Sequence, residues 1–170
     1  TNIDERVFSG CTNLKSIIIP DSVTSIEFDA FCGCDSLSNI VIPKSVTSIK
    51  DGAFSDCSSL LNITIPDSVI SIGDNPFYNT PWLEERRKEN PLVIVNGHLI
   101  DGQTASGDVQ IPDSVQYICG FCFHRCKTIT SVLIPEGIVS IDSYAFGDCT
   151  ELKRIEIPHS VTSIGQEAFL

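Results

Sequence analysis

Apolar residues recur along this chain at a long, fixed interval. Pro20, Pro43 and Pro66 fall every 23 residues, and so do Pro112, Pro135 and Pro158. The gap from Pro66 to Pro112 equals two such intervals. With the proline numbered as position 1, position 12 holds Phe8, Phe31, Phe54, Phe77, Phe123, Phe146 and Phe169, with Ile100 in the slot between Phe77 and Phe123. Position 7 holds Ile3, Ile26, Ile49, Ile72, Val95, Ile118, Ile141 and Ile164. Position 4 is Val, Leu or Ile from Val23 to Val161, and position 18 is Leu at Leu14, Leu37, Leu60, Leu83 and Leu152. A fixed period in this range is the signature of a solenoid, whose single coils are too small to bury their apolar side alone.

In six coils, positions 21 and 23 are apolar, as in Ile40/Ile42 and Ile63/Ile65, and they alternate with positions 20 and 22. That period of two predicts a short strand, and its repetition predicts a parallel sheet built coil upon coil. Proline, which has no N–H, ends each strand. The segment "SVTSI" predicts a second short extended piece. The Gly- and Asp-rich stretch after it, such as "DGAFSDC", predicts a corner with loose helical turns.

Residues 76–106 depart from the pattern. "TPWLEERRKEN" predicts a helix capped by Thr80, with Pro81 in its first turn. Arg86 and Lys88 stand where inward strand residues belong, so this coil is expected to lack its strand. Asn96-Gly97 between two apolar runs predicts a two-residue hairpin with strands near 92–95 and 98–101. Leu92, Val95, Ile100 and Val109 stay on apolar columns, so 1–170 is expected to be one solenoid with an irregular insertion.

The consensus P-D-S-V-T-S-I-x-x-x-A-F-x-x-C-x-x-L-x-x-I-x-I resembles the BspA-like leucine-rich repeat family, and the likeness covers nearly the whole chain. The resemblance implies a right-handed leucine-rich-repeat arc, mainly β with turns, carrying a short parallel sheet plus the inserted helix and hairpin. The family is known from surface proteins of mucosal bacteria and some protozoa. It implies an extracellular, cell-surface or secreted module that adheres to a protein or glycan without catalysis. The alternative is a structural spacer in a larger surface protein that carries an enzyme or anchor elsewhere.

Charge narrows the partners. A net charge of −11 and a pI near 4.5 argue against nucleic acid, which requires clustered Lys and Arg. No apolar run approaches the length of a membrane span, so direct insertion is not expected. The chain opens in mid-pattern and reads as a piece of a longer array whose apolar ends would self-associate.

The stretch "CGFCFHRC" from Cys119 to Cys126 resembles a zinc knuckle or a redox dithiol. Cys126, however, shares position 15 with Cys11, Cys34, Cys57 and Cys149, and Cys122 shares position 11 with Ala30, Ala53 and Ala145. Both are therefore expected to point into the core as small hydrophobes, and His124 to point out. No metal, cofactor or disulfide framework is expected. The acidic residues at position 2, Asp21, Asp67, Asp113 and Glu136, read as a solvated edge. His98, His124 and His159 share no column and read as surface residues, and no base and nucleophile converge.

Positions 20 and 22 should face solvent as a strip. Its candidate contacts are Ile18, Asn39, Val41, Asn62 and Thr64, then Gln110, Leu133, Arg154 and Glu156, flanked by Ser16, Asp108 and Ser131. A rival site is the helix bearing Trp82, Arg86 and Arg87, because Trp and Arg are frequent interface anchors.

Overall fold

The computed structural model describes Thr1–Leu170 and divides into two compact units, Thr1–Arg86 and Arg87–Leu170. Each unit is a stack of short coils. In the first unit, four two-residue strands pair in parallel: β1 (Asn2–Ile3), β2 (Ser25–Ile26), β4 (Ser48–Ile49) and β6 (Ser71–Ile72). Each takes the last two residues of the "SVTSI" segment, so Ile26 lies beside Ile3 and Ile49. A second parallel pair, β3 (Asn39–Val41) and β5 (Asn62–Thr64), is formed by positions 20 to 22. Contrary to the sequence expectation, Ser16–Ile19 of the first coil forms no strand.

Between the two sheets the chain turns its corner by a double set of hydrogen bonds. Phe8, Phe31 and Phe54 donate their N–H to the carbonyls of Ala30, Ala53 and Pro76 in the following coil, at 2.9, 2.8 and 2.8 Å. Alternate residues bond backwards within the turn instead, as Cys32 does to Asp29 and Cys34 to Phe31. This alternation requires a left-handed residue at positions 10 and 14 of the coils. Asp29 (φ 53°), Gly52 (63°) and Asn75 (48°) fill position 10, and Gly33 (70°), Asp56 (60°) and Asn79 (56°) fill position 14. Gly, Asn and Asp suit that conformation best. Phe121 and Tyr144 adopt it as well, at 61° and 57°, held there by the ladder on both sides.

The ladder brings the phenylalanines into one stack. Phe8, Phe31, Phe54 and Phe77 lie with ring centroids 5.1, 5.2 and 5.8 Å apart and planes within 14° of parallel. A centroid spacing wider than ring thickness makes the stack offset, the favoured arrangement. Phe31 and Phe54 are fully buried, as are Ile26 and Ile49.

Helix α1 (Pro81–Glu89) begins as the sequence predicts. Thr80 Oγ1 accepts from the Leu83 amide at 3.2 Å and donates to the Phe77 carbonyl at 2.7 Å. Although the strand is lost, Leu83 is buried on the leucine column.

In the second unit β7 (Val93–Val95) and β8 (His98–Asp101) form the predicted hairpin, with Asn96 and Gly97 both at positive φ. β8 then pairs in parallel with β10 (Tyr117–Ile118), followed by β12 (Ser140–Ile141) and β14 (Ser163–Ile164). A three-stranded parallel sheet comprises β9 (Gly107–Gln110), β11 (Ile129–Leu133) and β13 (Arg154–Glu156). Phe123 stacks on Phe146, and Phe146 on Phe169, at 4.9 and 5.4 Å.

Val95 and Ile100 do not occupy the columns their spacing predicts. Leu99, not Val95, lies beside Ile118. The residue over the Phe123 ring is Gly102, whose N–H donates to the Cys122 carbonyl at 2.7 Å. The hairpin consumes extra residues, and the shortened corner from Gly102 to β9 returns them, so the phase is regained by Val109 beside Val132.

A Cβ on Gly102 would lie 2.2 Å from the Phe123 ring. Gly102→Ala is therefore expected to destabilise the second unit by about 1–3 kcal/mol, as overpacking does. Chemical denaturation followed through the unit's aromatic signals measures this; an unchanged midpoint would show that the ring yields freely.

Candidate binding face

In β3 and β5 the residues at positions 20 and 22 point away from the core because side chains alternate along a strand. Asn39 lies beside Asn62 and Val41 beside Thr64, all exposed. Ile18 is 93% exposed and Val41 65%, which is unusual for β-branched residues. Between them runs a cleft of about 420 Å³ lined by Ser16–Ile19, Asp21, Asn39–Val41 and Pro43. This face is apolar along one row and amide- or hydroxyl-bearing along the other.

The second unit presents a different strip. Asp108, Ser131 and Arg154 align in one row, and Gln110, Leu133 and Glu156 in the other. The Asp108 carboxylate accepts from Ser131 Oγ at 2.6 Å and Thr130 Oγ1 at 3.0 Å. Those hydrogen bonds hold its carboxyl below the ordinary range. Arg154 is paired with Glu156, which raises the already high pKa of the guanidinium. Leu133, 51% exposed, is the one large apolar side chain of this strip.

The helix does not present the anchors its sequence suggests. Trp82 is only 6% exposed, with its ring 4.7 Å from that of Phe77, so it closes the aromatic stack of the first unit. Arg86 is exposed, its guanidinium 5.7 Å from the Trp82 ring. Arg87 lies against Asp101, Nε to Oδ1 at 2.9 Å and Nη2 to Oδ2 at 2.5 Å, and reaches Gln103 Oε1 at 3.1 Å. Asp101 is 4% exposed, so this two-pronged pair is a structural clamp on the hairpin. Nothing in the spacing of Arg87 and Asp101 announces it.

The residues of "CGFCFHRC" differ in setting. Cys119, Cys122 and Cys126 are buried; the Cys126 thiol approaches the Ala105 carbonyl at 3.3 Å. His124 does not point freely outward. It is half-buried, edge-on to Phe121 and Tyr144 at 5.5 and 6.3 Å. No three His, Cys, Asp or Glu side chains converge as metal ligands. His98, read from sequence as a surface residue, is buried and stacks on Tyr117 at 4.7 Å. Burial pushes its pKa below that of a free imidazole.

The position-15 cysteines do more than fill space. Cys34, Cys57 and Cys149 donate their thiols to the carbonyls of Phe8, Phe31 and Phe123 in the preceding coil, at 3.2, 3.1 and 3.1 Å. Sequence reasoning missed this because a small buried hydrophobe and a weak donor are the same residue. Burial, the largest cause, pushes the Cys34 and Cys149 thiols up to about 11 and Cys57 to about 12.

The chain matches the model for the BspA type leucine rich repeat region, in six copies, over residues 1–104 and 102–170. No curated protein matches it. Among solved structures, a leucine-rich repeat protein from Bacteroides ovatus shares 22% identity at a TM-score of 0.51, covering 98% of this chain and 43% of that one. A leucine rich repeat protein from T. pallidum shares 29% identity at a TM-score of 0.49, covering 95% of this chain and 64% of that one. A leucine rich cell surface protein from Faecalibacterium prausnitzii shares 23% identity at a TM-score of 0.44, covering 92% and 57%. The chain thus spans less than two thirds of the length of each of these proteins.

Thiol reactivity checks the burial pattern, because the thiolate is the reactive form. At pH 8 in the native protein, iodoacetamide is expected to label exposed Cys11 first and to leave Cys57 untouched until unfolding. Equal labelling rates at Cys11 and Cys57, read by peptide mass mapping, would contradict the arrangement.

Proposed function

We propose that this chain, which belongs to the BspA-type leucine-rich repeat family, is a non-catalytic binding module of an extracellular or cell-surface protein. Its partner is a protein or a glycan, held on the outward strip of the first unit. The observation that carries this reading is the row Ile18–Val41–Thr64. Two large aliphatic side chains there are solvated, Val41 on β3 and Ile18 on the strand-free segment before Pro20, beside the amides of Asn39 and Asn62. Contiguous exposed apolar area rimmed by polar groups marks interaction sites.

The strip of the second unit favours a secondary role. Gln110, Glu156 and Arg154 are polar or charged and Arg154 is already paired, so only Leu133 offers apolar contact. Of the three helix candidates, Arg86 is the exposed one. The acidic composition argues against a nucleic-acid partner, and membership of a repeat family supports binding without chemistry. The surface location rests on the family resemblance drawn from the repeat consensus.

The test is capture of host matrix proteins and mucin by the immobilised chain. Replacing Ile18 and Val41 together with Lys is expected to abolish capture and leave the circular-dichroism spectrum unchanged. Capture that survives this change but fails on Arg86→Ala would move the site to the helix. A native chain that captures neither class of partner would support the spacer reading instead.

A further inference from the structure

The strip reading leaves open which chemistry the first unit recognises, and the main chain beside Ile18 narrows it. In β3 the Ile42 N–H, just beyond the strand, donates to the Thr64 carbonyl at 3.0 Å. Polar groups alternate sides along a strand, so Asn39 and Val41 turn their N–H and C=O groups the other way, toward Ser16–Ile19. No backbone hydrogen bond joins that segment to Asn39–Val41, and β3 has β5 as its sole strand partner.

Where two successive coils both carry a strand at these positions, the equivalent step is closed; the other edge of β5 faces the coil whose strand is replaced by α1. Leu61 N–H donates to Ser38 at 3.1 Å, Lys153 to Thr130 at 2.9 Å and Ile111 to Leu133 at 3.0 Å. At the corner the first coil is stitched to the second as tightly as any other pair, through Phe8 to Ala30 and Gly10 to Cys32. The first coil is therefore stacked on its corner side and open on its strand side. The opening is the 420 Å³ cleft, walled by Ile17, Ile18 and Ile19 on one side and by β3 on the other.

Resting on the strip reading, we infer that this cleft is a strand-addition site, and that its ligand is an extended polypeptide segment pairing with the open edge of β3. Two observations select a peptide over a saccharide. The open groups are main-chain donors and acceptors spaced by the strand repeat, which another extended backbone matches in register. The walls offer aliphatic side chains, Ile18 and Val41, that fit alternate β-branched residues of such a segment. A solvated edge strand is ordinarily protected by charge or proline. Here Asn39 and Val41 bring neither, while Pro43 lies just beyond the strand.

The probe is the blocked peptide Thr-Val-Thr-Val-Thr, with a control of the same sequence N-methylated at alternate residues. The control keeps the side chains and removes the pairing N–H groups. Amide exchange is followed by NMR in the full chain. On saturation with the probe, exchange at Asn39 and Val41 is expected to slow by at least about tenfold, and the control should give no effect. Val41→Pro removes one cleft-facing donor without touching the bonds to β5. It should abolish probe binding while amide protection at Glu27 and Lys50, which hold the other sheet, stays unchanged.

The inference is overturned if the probe does not bind, if the methylated control binds equally, or if Asn39 and Val41 are already protected in the free chain. The last result would mean that Ser16–Ile19 closes onto β3 by itself. A partner lost on the double Lys change but retained by Val41→Pro would uphold the strip and overturn strand addition. A partner indifferent to both would remove the strip reading itself.

Discussion

Every feature of each unit depends on one constraint: the main chain of each coil must bond to the next at a spacing near 5 Å. The phenylalanine stack reports that spacing directly, at 5.1 and 5.2 Å between Phe8, Phe31 and Phe54. Once the amide of position 12 is tied to the carbonyl of position 11 in the following coil, every side chain sits over its own equivalent. A column then favours residues that pack on copies of themselves, such as Phe on Phe and Ile on Ile. The corner bonds also dictate left-handed backbone at positions 10 and 14, whatever side chain is present. Phe121 and Tyr144 bear that cost of about 1–2 kcal/mol each because the ladder on either side over-determines their conformation.

The same constraint decides what could be read from the chain. The Phe, Ile and Leu columns, the strand segments, the Thr80 cap and the Asn96-Gly97 hairpin were legible, because each is enforced by a local pattern or a repeated one. Three kinds of feature were not. The slip that puts Leu99 and Gly102 into the columns assigned to Val95 and Ile100 is invisible to a count of residues, since insertion and shortening cancel over two periods. The clamp of Arg87 on Asp101 joins residues that no period relates. The thiol donors of position 15 look like ordinary buried cysteines. Position 14 did carry a signal, in the run Gly10, Gly33, Asp56 and Asn79, all residues suited to positive φ.

The candidate face was legible in outline. Alternation along the strand assigns Ile18, Asn39, Val41, Asn62 and Thr64 to solvent, and the structure places them there. Trp82 was misassigned because an aromatic residue on a short polar helix looks like an anchor. Its position two residues after Thr80 instead carries it back over Phe77, where it seals the stack. The open strand side of the first coil had no sequence signature at all, since "SIIIP" matches its siblings residue for residue in apolar character. A solenoid presents its outward residues on a lattice fixed by the core, so changes at positions 20 and 22 alter recognition at little cost to the columns beneath.

The central claim is that stability is carried coil to coil through the stacked columns. Native-state hydrogen exchange on Phe54→Ala tests it most directly. Removing that ring costs about 3–5 kcal/mol at its own site, and nearest-neighbour coupling confines the loss. Amides of Phe31, Gly33 and Asp56, which bond across the adjoining coils, are predicted to lose protection, while those of Ile111 and Lys153 keep theirs. A uniform, simultaneous loss of protection from Phe8 to Phe146 would contradict the account.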